Sequence, residues 1–526
     1  MISVLANEND QPVVQEFFEL FKTPWEFFRA GTSAEVLLCT ETEVPASEAK
    51  LVLIYGSELT SFDRAQSAPV RPQGAGKNVT NDGKVFPIYG QSLALENSPN
   101  PALLETKQGN QTIVRIGYDL FSEIRHLLII GQPMEYAATP TLERHIELLR
   151  ELILRHAAPL LEIPPAPSGH QFIACLTHDV DHVGICNHKF DHTMFGFLFR
   201  ATVGSVLDVM RGKKNLGQLA KNWLAVLKLP FVHLGLVKDF WYQFDHYVEL
   251  ENGAASTFFI IPKKGETGLD AKGNRQAKRA ASYDARDLKD ILCGLEKSGK
   301  EIGVHGIDAW RDVIAGRAEQ RIISDLTGAK EFGVRMHWLY FGEQTHATLE
   351  AAGFTYDSTV GYNGTVGYRV GTTQIFKPLT TKNLLELPMH AMDTALFYPS
   401  YLNLSEAQAA EKIQPLIEHA TQTGGTLTVN WHDRSIAPER LWDGSYVRLI
   451  AECKQNGAWF ATAAQAVAWF RQRRGASFAC TASGITVRST NSGGKILPGL
   501  RIRIHESGAK FADQILRDGM EISLAA

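Results

Sequence analysis

Short apolar runs alternate with helix-like stretches through the middle of this chain. The apolar runs are residues 172–176, 256–261, 301–305, 334–338 and 427–430. Helix-like segments lie between them, for example Asp239–Leu250 and Thr345–Ala352. Runs of this length are typical of buried strands, and strands that alternate with helices indicate a parallel sheet. The pattern predicts an α/β barrel over residues 166–474, with its site at the C-terminal ends of the strands.

The first 165 residues follow a different pattern. Three β-like segments and two helix-like segments occur here: 36–39, 51–55, 113–116, Tyr118–Leu128 and Leu142–Leu154. The second helix carries its apolar side chains on one stripe. A Pro-rich linker at residues 163–167 follows. We predict an α+β N-terminal domain over residues 1–165, to which the sequence assigns no role.

Residues 184–238 interrupt the barrel after its first strand. The segment combines Phe and Leu with Lys and Arg, as in 194–200 and 223–229. A basic amphipathic insert of this kind can lie on a membrane surface. The alternative is a helical lid that packs over the site or against a partner subunit. Peripheral membrane contact and a homo-oligomer therefore both remain open.

In the C-terminal residues, apolar and polar side chains alternate with a period of two. Residues 500–504 alternate apolar and basic side chains, and Asn491–Gly494 is a turn sequence. We predict a small β domain over residues 475–526, used for oligomerisation or glycan contact.

Composition limits the expected partners and the expected cellular location of the protein. A net charge of −4 and a pI near 6.5 give no reason to expect nucleic acid as a partner. The six cysteines are scattered without Cys-x-x-Cys spacing, so we expect reduced core residues. The N-terminus lacks a basic region and a long apolar stretch, and no run reaches the roughly 18–20 apolar residues of a membrane span. We expect a cytoplasmic protein.

Two carboxylates at the end of the first apolar run are the strongest chemical signal. Asp179 and Asp181 are two residues apart, so at the end of a strand their side chains point the same way. Adjacent carboxylates are costly unless a cation or a proton lies between them. The alternative is that they cap the helix that follows. The other candidate side chains, also close to predicted strand ends, are His305, Arg335, His337, Asp357 and His432.

This set of segments resembles the polysaccharide deacetylase (NodB-homology) family of metal-dependent carbohydrate de-N-acetylases. The resemblance covers roughly residues 171–474 and implies a distorted (β/α) barrel of NodB type. It makes Asp179 the catalytic base and Asp181 a metal ligand. The family's next motif has two metal-binding His residues, of which only His305 is present, because Ala309 stands at the second position.

A second departure from the family suggests how the lost ligand is replaced. The family's third motif is Arg-x-Pro-aromatic, and here Arg335 is followed by His337 where Pro is expected. We interpret His337 as the substitute for the missing ligand. By the same resemblance His432 is the general acid, and Asp357 orients or tunes it.

The chemistry of amide hydrolysis can be assigned to these residues directly. One carboxylate and two imidazoles (Asp181, His305 and His337) are a common ligand set for Zn²⁺ or another divalent metal with open positions. Asp179, held ionised by Arg335, would take a proton from water. His432, steadied by Asp357 or Asp433, would protonate the leaving nitrogen. A backbone N–H near Trp338 could complete the oxyanion site.

Alternatives remain for both the ligands and the function. His178, His182 and Asp308 are substitute ligands if His337 points away. The expected function is a metal-dependent hydrolase that removes N-acetyl groups from a saccharide or glycolipid. One rival is a degenerate barrel that binds a glycan or a partner and holds no metal. The other is a hydrolase of another amide or a cyclic imide.

Overall fold

The computed structural model describes residues 1–31, 34–66, 70–95, 103–157, 159–481, 484–489, 497–506 and 510–522. The chain forms two compact units. Unit 1 comprises Met1–Gly169, Tyr368–Leu379 and Trp469–Ala526, and unit 2 comprises His170–Gly367 and Thr380–Ala468. Three domains were predicted, whereas here the N-terminal and C-terminal segments fall in the same unit.

The N-terminal part of unit 1 is built on a six-stranded sheet. The strands of this part of unit 1, of which six form that sheet, are β1 (Ile2–Leu5), β2 (Trp25–Phe27), β3 (Val36–Cys39), β4 (Leu51–Tyr55), β5 (Val70–Gly74), β6 (Lys77–Asn81), β7 (Lys84–Ile88), β8 (Ser92–Leu95), β9 (Leu104–Gln108), β10 (Gln111–Ile116) and β11 (Leu160–Glu162). Its helices are α1 (Gln11–Phe21), α2 (Ser61–Gln66), α3 (Leu120–Ile129) and α4 (Thr141–His156). The sheet order is β2-β1-β3-β4-β10-β9, and every pair except β9–β10 is parallel. The mostly parallel pairing differs from the predicted α+β arrangement, because strand direction depends on the connections and not on strand composition.

Unit 2 contains a sheet of nine parallel strands. They are β12 (Phe172–Val180), β13 (Ser256–Ile260), β14 (Glu301–Gly306), β15 (Gly333–Met336), β16 (Tyr356–Asp357), β17 (Leu385–Glu386), β18 (Ala391–Met392), β19 (Thr426–Asn430) and β20 (Ala458–Phe460). The order is β17-β16-β15-β14-β13-β12-β19-β18, and β20 also pairs with β12. All nine residues of β12 are buried, as expected for a parallel strand covered on both faces. The sheet is a curled half-barrel, in agreement with the predicted distorted barrel.

Helices accompany the strands of unit 2. They are α5 (His192–Phe199), α6 (Ser205–Met210), α7 (Leu216–His233), α8 (Phe244–Glu251), α9 (Lys289–Lys297), α10 (Val313–Thr327), α11 (Thr345–Ala352), α12 (Asp393–Phe397), α13 (Glu406–Thr423), α14 (Asp443–Gln455) and the first part of α15 (Ala463–Gly475), whose residues from Trp469 onward belong to unit 1. Because all strands of the sheet are parallel, their C-terminal ends lie along one edge.

The insert after β12 is helical and packs on unit 2. Helices α5 and α6 are joined by a π-helical turn at Arg200–Gly204, so residues 192–210 form one continuous helix. Phe197 and Ala201 of this helix and Leu229 of α7 are buried in one cluster with Trp241. Against the expectation from the sequence, residues 192–210 are long and apolar enough to cross a membrane, by length and composition.

The C-terminal part of unit 1 is β-rich. It contains β21 (Ser477–Thr481), β22 (Gly484–Arg488), β23 (Arg501–His505), β24 (Phe511–Ile515) and β25 (Met520–Ile522). The alternating residues predicted as a strand correspond to β23, which pairs antiparallel with β24 and with β11. The predicted turn at Asn491–Gly494 lies outside the described residues.

Candidate active site

The C-terminal ends of four strands in the unit 2 sheet bring the candidate side chains together. Asp179 lies at the end of β12, and Asp181 follows it. His305 is the penultimate residue of β14, and His337 comes directly after β15. His432 lies two residues beyond β19. Strand register explains the proximity, because His305 pairs with Arg335 across β14 and β15.

Three side-chain atoms form a compact ligand group. The Nε2 atom of His305 and the Nδ1 atom of His337 lie 3.4 Å and 3.2 Å from Oδ1 of Asp181, and 3.0 Å from each other. Zinc–ligand bonds of about 2.0–2.1 Å place the atoms of a tetrahedral site roughly 3.3–3.4 Å apart. The Asp181 Oδ1 atom is buried and accepts no hydrogen bond. The group therefore fits a divalent cation.

The surroundings keep these ligands in binding form. His305 Nδ1 donates to the carbonyl oxygen of Arg335 at 2.9 Å, because that oxygen can only accept, and the lone pair of Nε2 therefore faces His337 and Asp181. Burial keeps the pKa of His337 below its usual range despite the nearby Asp181, so its ring is neutral. Burial would raise the pKa of Asp181, but His337 and His305 hold it well below the usual range. Asp181 is therefore a carboxylate.

Asp179 is fixed by two partners beside the ligand group. Its Oδ1 accepts from Arg335 Nη1 at 3.1 Å, and its Oδ2 accepts from Asn430 Nδ2 at 2.8 Å. Oδ2 also lies 3.9 Å from His305 Nε2. Burial would raise the pKa of Asp179, but His305 and Arg335 lower it. This arrangement keeps a charged carboxylate in one orientation next to the candidate metal position.

Arg335 is a buried anchor at the end of β15. Its Nη1 also donates to Thr177 Oγ1 at 2.7 Å, and its Nε donates to the Ser358 carbonyl at 2.9 Å. The guanidinium lies 4.6 Å from the ring centroid of Phe259. Because Nε and Nη1 of this rigid planar group are both held by buried partners, Arg335 can set the position of Asp179.

His432 faces the ligand group and is held by Asp393, a residue that the sequence analysis missed. Its Nδ1 lies 2.6 Å from Asp393 Oδ1, and its Nε2 lies 4.0 Å from Asp181 Oδ2. Burial would lower the pKa of His432, but Asp393, followed by Asp181 and Asp179, raises it to about 10. The ring is therefore protonated on both nitrogens at neutral pH.

The predicted partners of His432 lie elsewhere, and this corrects the prediction. Asp357 Oδ1 accepts from Thr359 Oγ1 at 2.5 Å, and its Oδ2 lies 3.8 Å from His346 Nε2. Asp433 Oδ2 accepts from the backbone N–H of His182 at 2.8 Å. The physical reason is strand order. Strand β18 pairs with β19, so Asp393, which follows β18, lies next to His432, which follows β19.

Asp357 belongs to a second buried group with ligand-like spacing, together with Glu386 and His346. His346 Nε2 lies 3.1 Å from Glu386 Oε2. Burial and the neighbouring Glu386 raise the pKa of Asp357 well above its usual range, and burial raises that of Glu386 to about 7. Carboxyl groups that favour the neutral form offer less negative charge to a cation than the ionised Asp181 does. This group is therefore a weaker metal candidate than the one at Asp181.

The alternative ligands predicted from the sequence are engaged in other contacts. His178 lies 2.8 Å from the Trp431 carbonyl oxygen and 2.8 Å from Glu251 Oε1. His182 Nδ1 contacts His188 Nε2 at 3.1 Å. Asp308 Oδ1 accepts from the backbone N–H of Leu269 at 3.0 Å. Ala309, at the position of the missing His, is fully buried.

The site opens into a cavity of about 580 Å³. Asp179, Asp181, His305, His337 and His432 all line it. Trp338 and Leu339 line it as well, and both adopt positive φ, 64° and 53°. Positive φ at two bulky residues stores backbone strain, which in proteins concentrates at functional sites.

Sequence reasoning missed Asn430 as well as Asp393. Both lie at the C-terminal end of a strand, the position that identified the other candidates. Asn430 ends β19, two residues before His432, and carried the same signal. Asp393 follows a strand of only two residues, which is too short to show a periodic pattern.

Comparisons with known proteins find only remote likeness. No family model and no curated protein matches the sequence. Among solved structures, a chain described as a polysaccharide deacetylase from Mycobacterium smegmatis is 18% identical with a TM-score of 0.37, over 59% of this chain and 95% of that one. The allantoinase Puue is 15% identical with a TM-score of 0.36, over 58% and 92% of the two chains. A chain described as a polysaccharide deacetylase from Pseudomonas aeruginosa PAO1 is 15% identical with a TM-score of 0.35, over 59% and 94%. At these values the likeness assigns this chain to no family, and its function has to be argued from the site.

Proposed function

We propose that this protein is a metal-dependent hydrolase that removes N-acetyl groups from a saccharide or glycolipid. The observation that carries the proposal is the convergence of three kinds of group in one cavity. These are the ligand group of Asp181, His305 and His337, the fixed carboxylate Asp179 and the charged imidazole His432. Together they fill the roles that amide hydrolysis requires.

Asp181, His305 and His337 would hold the metal. A divalent cation such as Zn²⁺ bound there would polarise the amide carbonyl and make a water molecule more acidic. The one-carboxylate, two-imidazole set leaves positions for water and substrate.

Asp179 is the group best placed to accept the proton of the attacking water. It is ionised, it lies beside His305, and both of its oxygens are oriented by Arg335 and Asn430. A base fixed in this way needs no reorientation when the hydroxide adds to the carbonyl carbon.

His432 supplies the second proton. Its Nδ1–H is held by Asp393, so Nε2–H points towards the ligand group. When the carbon–nitrogen bond breaks, the departing nitrogen takes this proton and leaves as an amine. Acetate is the other product. The charge of His432 also favours the negative charge that develops on the carbonyl oxygen.

The metal content of the purified protein tests the first half of the proposal. We expect about one zinc-like ion per chain by elemental mass spectrometry, and its loss in His337→Ala. His346→Gln is the matched control, because it alters the second buried group and leaves Asp181 intact. Metal lost from His346→Gln and retained in His337→Ala would place the metal at the second buried group, with Asp357 and Glu386, and would contradict the proposal.

Acetate release tests the second half. The wild-type protein and Asp179→Asn are assayed on N-acetylated hexosamines in three forms. These are the free sugar, the nucleoside diphosphate sugar and the prenyl diphosphate sugar. We expect acetate from the wild type and a loss of at least about 100-fold in Asp179→Asn. A metal-loaded protein that releases no acetate would favour hydrolysis of another amide or cyclic imide. A metal-free and inactive protein would favour a binding role.

A further inference from the structure

The catalytic cavity holds more positive charge than a neutral saccharide requires. Its cationic lining residues are Arg200, Lys278, Arg279, Arg434 and Arg440. The carboxylates that line it are Asp179 and Asp181. Asp179 is already paired with Arg335, and Asp181 belongs to the ligand group. Several cations of the cavity therefore remain without a matching anion.

Arg200 is the clearest of these cations. Its Nε and Nη2 atoms are buried and have no hydrogen-bond partner among the described residues. It begins the π-helical turn between α5 and α6, a distortion that often marks a functional residue. Burial, followed by the like charges of Arg440 and Arg434, lowers its pKa to about 10. An anion bound here would relieve both costs.

Arg440 and Arg434 complete an arginine cluster with Arg200. Arg440 is buried, and its guanidinium lies 5.1 Å from the ring centroids of Tyr398 and Trp442. Its Nη2 contacts the Tyr398 hydroxyl, and its Nε has no described partner. Arg434 lies 5.1 Å from the ring centroid of Trp241.

Acidic groups near the cluster do not neutralise it. Glu439 raises the pKa of both Arg200 and Arg440, but its Oε2 accepts from Trp241 Nε1 at 3.1 Å, and its buried Oε1 has no described hydrogen-bond partner. Asp393 is engaged by His432. No described carboxylate lies within ion-pair distance of any of the three guanidinium groups.

A second cavity, of about 340 Å³, meets the first at the arginine cluster. The two share Arg200, Tyr398 and Arg440. The far walls of the second cavity combine apolar side chains with basic ones, as in Phe397 and Lys214. A phosphate-like anion bound at the cluster could thus link a saccharide in the first cavity to another chemical group in the second cavity.

We propose that the arginine cluster binds the phosphoryl or diphosphate group of a glycosyl phosphate, so that the enzyme deacetylates a saccharide still attached to its phosphate carrier. This inference rests on the proposed function and names its substrate class. Guanidinium groups suit phosphate oxygens because they offer paired N–H donors in one plane.

Pyrophosphate binding to the metal-loaded full chain tests the subsite independently of activity. By calorimetry we expect Arg200→Gln to weaken binding about tenfold or more, with unchanged metal content. Arg434→Gln should also weaken pyrophosphate binding. This second variant keeps the test valid if Arg200→Gln fails to fold. Arg286→Gln, a surface arginine outside the cavity lining, should bind as the wild type does. Equal affinity of Arg200→Gln and wild type would mean binding through the metal alone and would overturn the proposal.

Acetate release separates this inference from the proposed function and identifies the carrier. We expect kcat/KM to be at least about tenfold higher for a glycosyl diphosphate than for the free sugar. Preference for the nucleotide diphosphate or for the prenyl diphosphate tells which carrier is used. Equal kcat/KM with and without the diphosphate would remove the subsite and leave the hydrolase. Arg200-dependent pyrophosphate binding without any acetate release would support the phosphate subsite and contradict the proposed deacetylase activity.

A different surface carries a second inference. The insert exposes large apolar side chains along both of its helical arms: Phe195, Phe199, Val203, Met210, Trp223, Leu224, Leu227, Phe231 and Leu234. Residues 189–238 also contain eight Lys or Arg against two Asp. Apolar side chains interspersed with an excess of basic ones match an anionic lipid surface.

The packing of the insert favours surface contact over a membrane span. Phe197 and Ala201, on the opposite face of the long helix, are fully buried against Trp241, and Arg200 lines the catalytic cavity. A span would have to remove these residues from the protein. We infer that the exposed face of the insert docks on the surface of a bilayer that contains anionic lipid.

Co-sedimentation with vesicles tests the docking surface. We expect binding to phosphatidylglycerol–phosphatidylcholine vesicles, weaker binding at high salt and little binding to phosphatidylcholine alone. The double variant Leu227→Gln with Phe231→Gln should bind at least about tenfold more weakly. Ile314→Gln is the control, because Ile314 is more exposed than Leu227 or Phe231 but lies on α10. Unchanged binding of the double variant, or a dimer in sedimentation velocity that this variant abolishes, would overturn the inference.

Discussion

At the scale of single residues, Asp393 decides whether His432 can act as an acid. It holds His432 Nδ1 at 2.6 Å and accepts from the backbone N–H of His432 at 2.7 Å. We predict that Asp393→Asn lowers kcat about 100-fold, because the imidazole loses the charge that keeps it protonated, and leaves KM and metal content nearly unchanged.

Asp357→Asn is the control for that prediction. Asp357 contacts Thr359 and has no described contact with His432, so its variant should keep most of the wild-type kcat. Steady-state kinetics of the two variants decide between them. A greater loss of kcat in Asp357→Asn than in Asp393→Asn would restore the assignment made from the sequence.

The sequence could predict which residues reach the site but not which of them touch. Asp179, Asp181, His305, His337 and His432 were all chosen for their position after an apolar run, and the structure brings them into one cavity. Pairings depend on which strands are neighbours. Because strand order cannot be deduced from composition, the partner of His432 was predicted to be Asp357 on β16 or the adjacent Asp433, and not Asp393, which follows β18.

At the scale of elements, Glu251 joins helix α8 to strands β12 and β14. This buried carboxylate contacts His178 of β12 at 2.8 Å and also Lys300, which precedes β14. Burial would raise the pKa of Glu251, but His178 and Lys300 lower it to about 2. We predict that Glu251→Gln lowers the free energy of unfolding by about 3 kcal/mol at pH 7, because Lys300 loses its partner.

The same carboxylate gives that loss a pH dependence. The folded-state pKa lies below the unfolded value, so the stabilisation is complete above about pH 4.5 and is lost as pH falls towards 2. Urea unfolding of wild type and Glu251→Gln should therefore differ most at neutral pH and converge in acid. A difference that grew as pH fell would contradict the assignment.

A close contact between β15 and β16 permits only glycine at position 333. A Cβ atom there would lie 1.8 Å from Cζ of Tyr356, whose hydroxyl donates to Glu301 at 2.8 Å. We predict that Gly333→Ala destabilises the protein by roughly 3 kcal/mol or more and displaces Arg335. Gly294→Ala, in α9 where nothing lies within 4 Å, should be neutral or stabilising. Urea unfolding of the two variants is the measurement.

Element length determined which parts of the sheet the sequence could predict. β12, β13, β14 and β19 contain at least five residues each and appear as apolar runs. Strands β16, β17 and β18 contain two residues each, and their places come from pairing with neighbours formed elsewhere in the chain. Periodicity cannot identify elements whose only stabilisation is tertiary.

At the scale of the whole molecule, the candidate ligands all belong to unit 2, although they come from three separate strand ends. Zinc bound to Asp181, His305 and His337 would therefore stabilise that unit and not unit 1. At a free zinc concentration about 100-fold above Kd, the added stability is about 2.7 kcal/mol. We predict that chelation lowers the midpoint of one thermal transition by about 5–10 °C in scanning calorimetry. The midpoint of His337→Ala should not respond to the chelator, because the variant has already lost the metal. An equal response of wild type and His337→Ala would mean that the stabilising ion binds away from this ligand group.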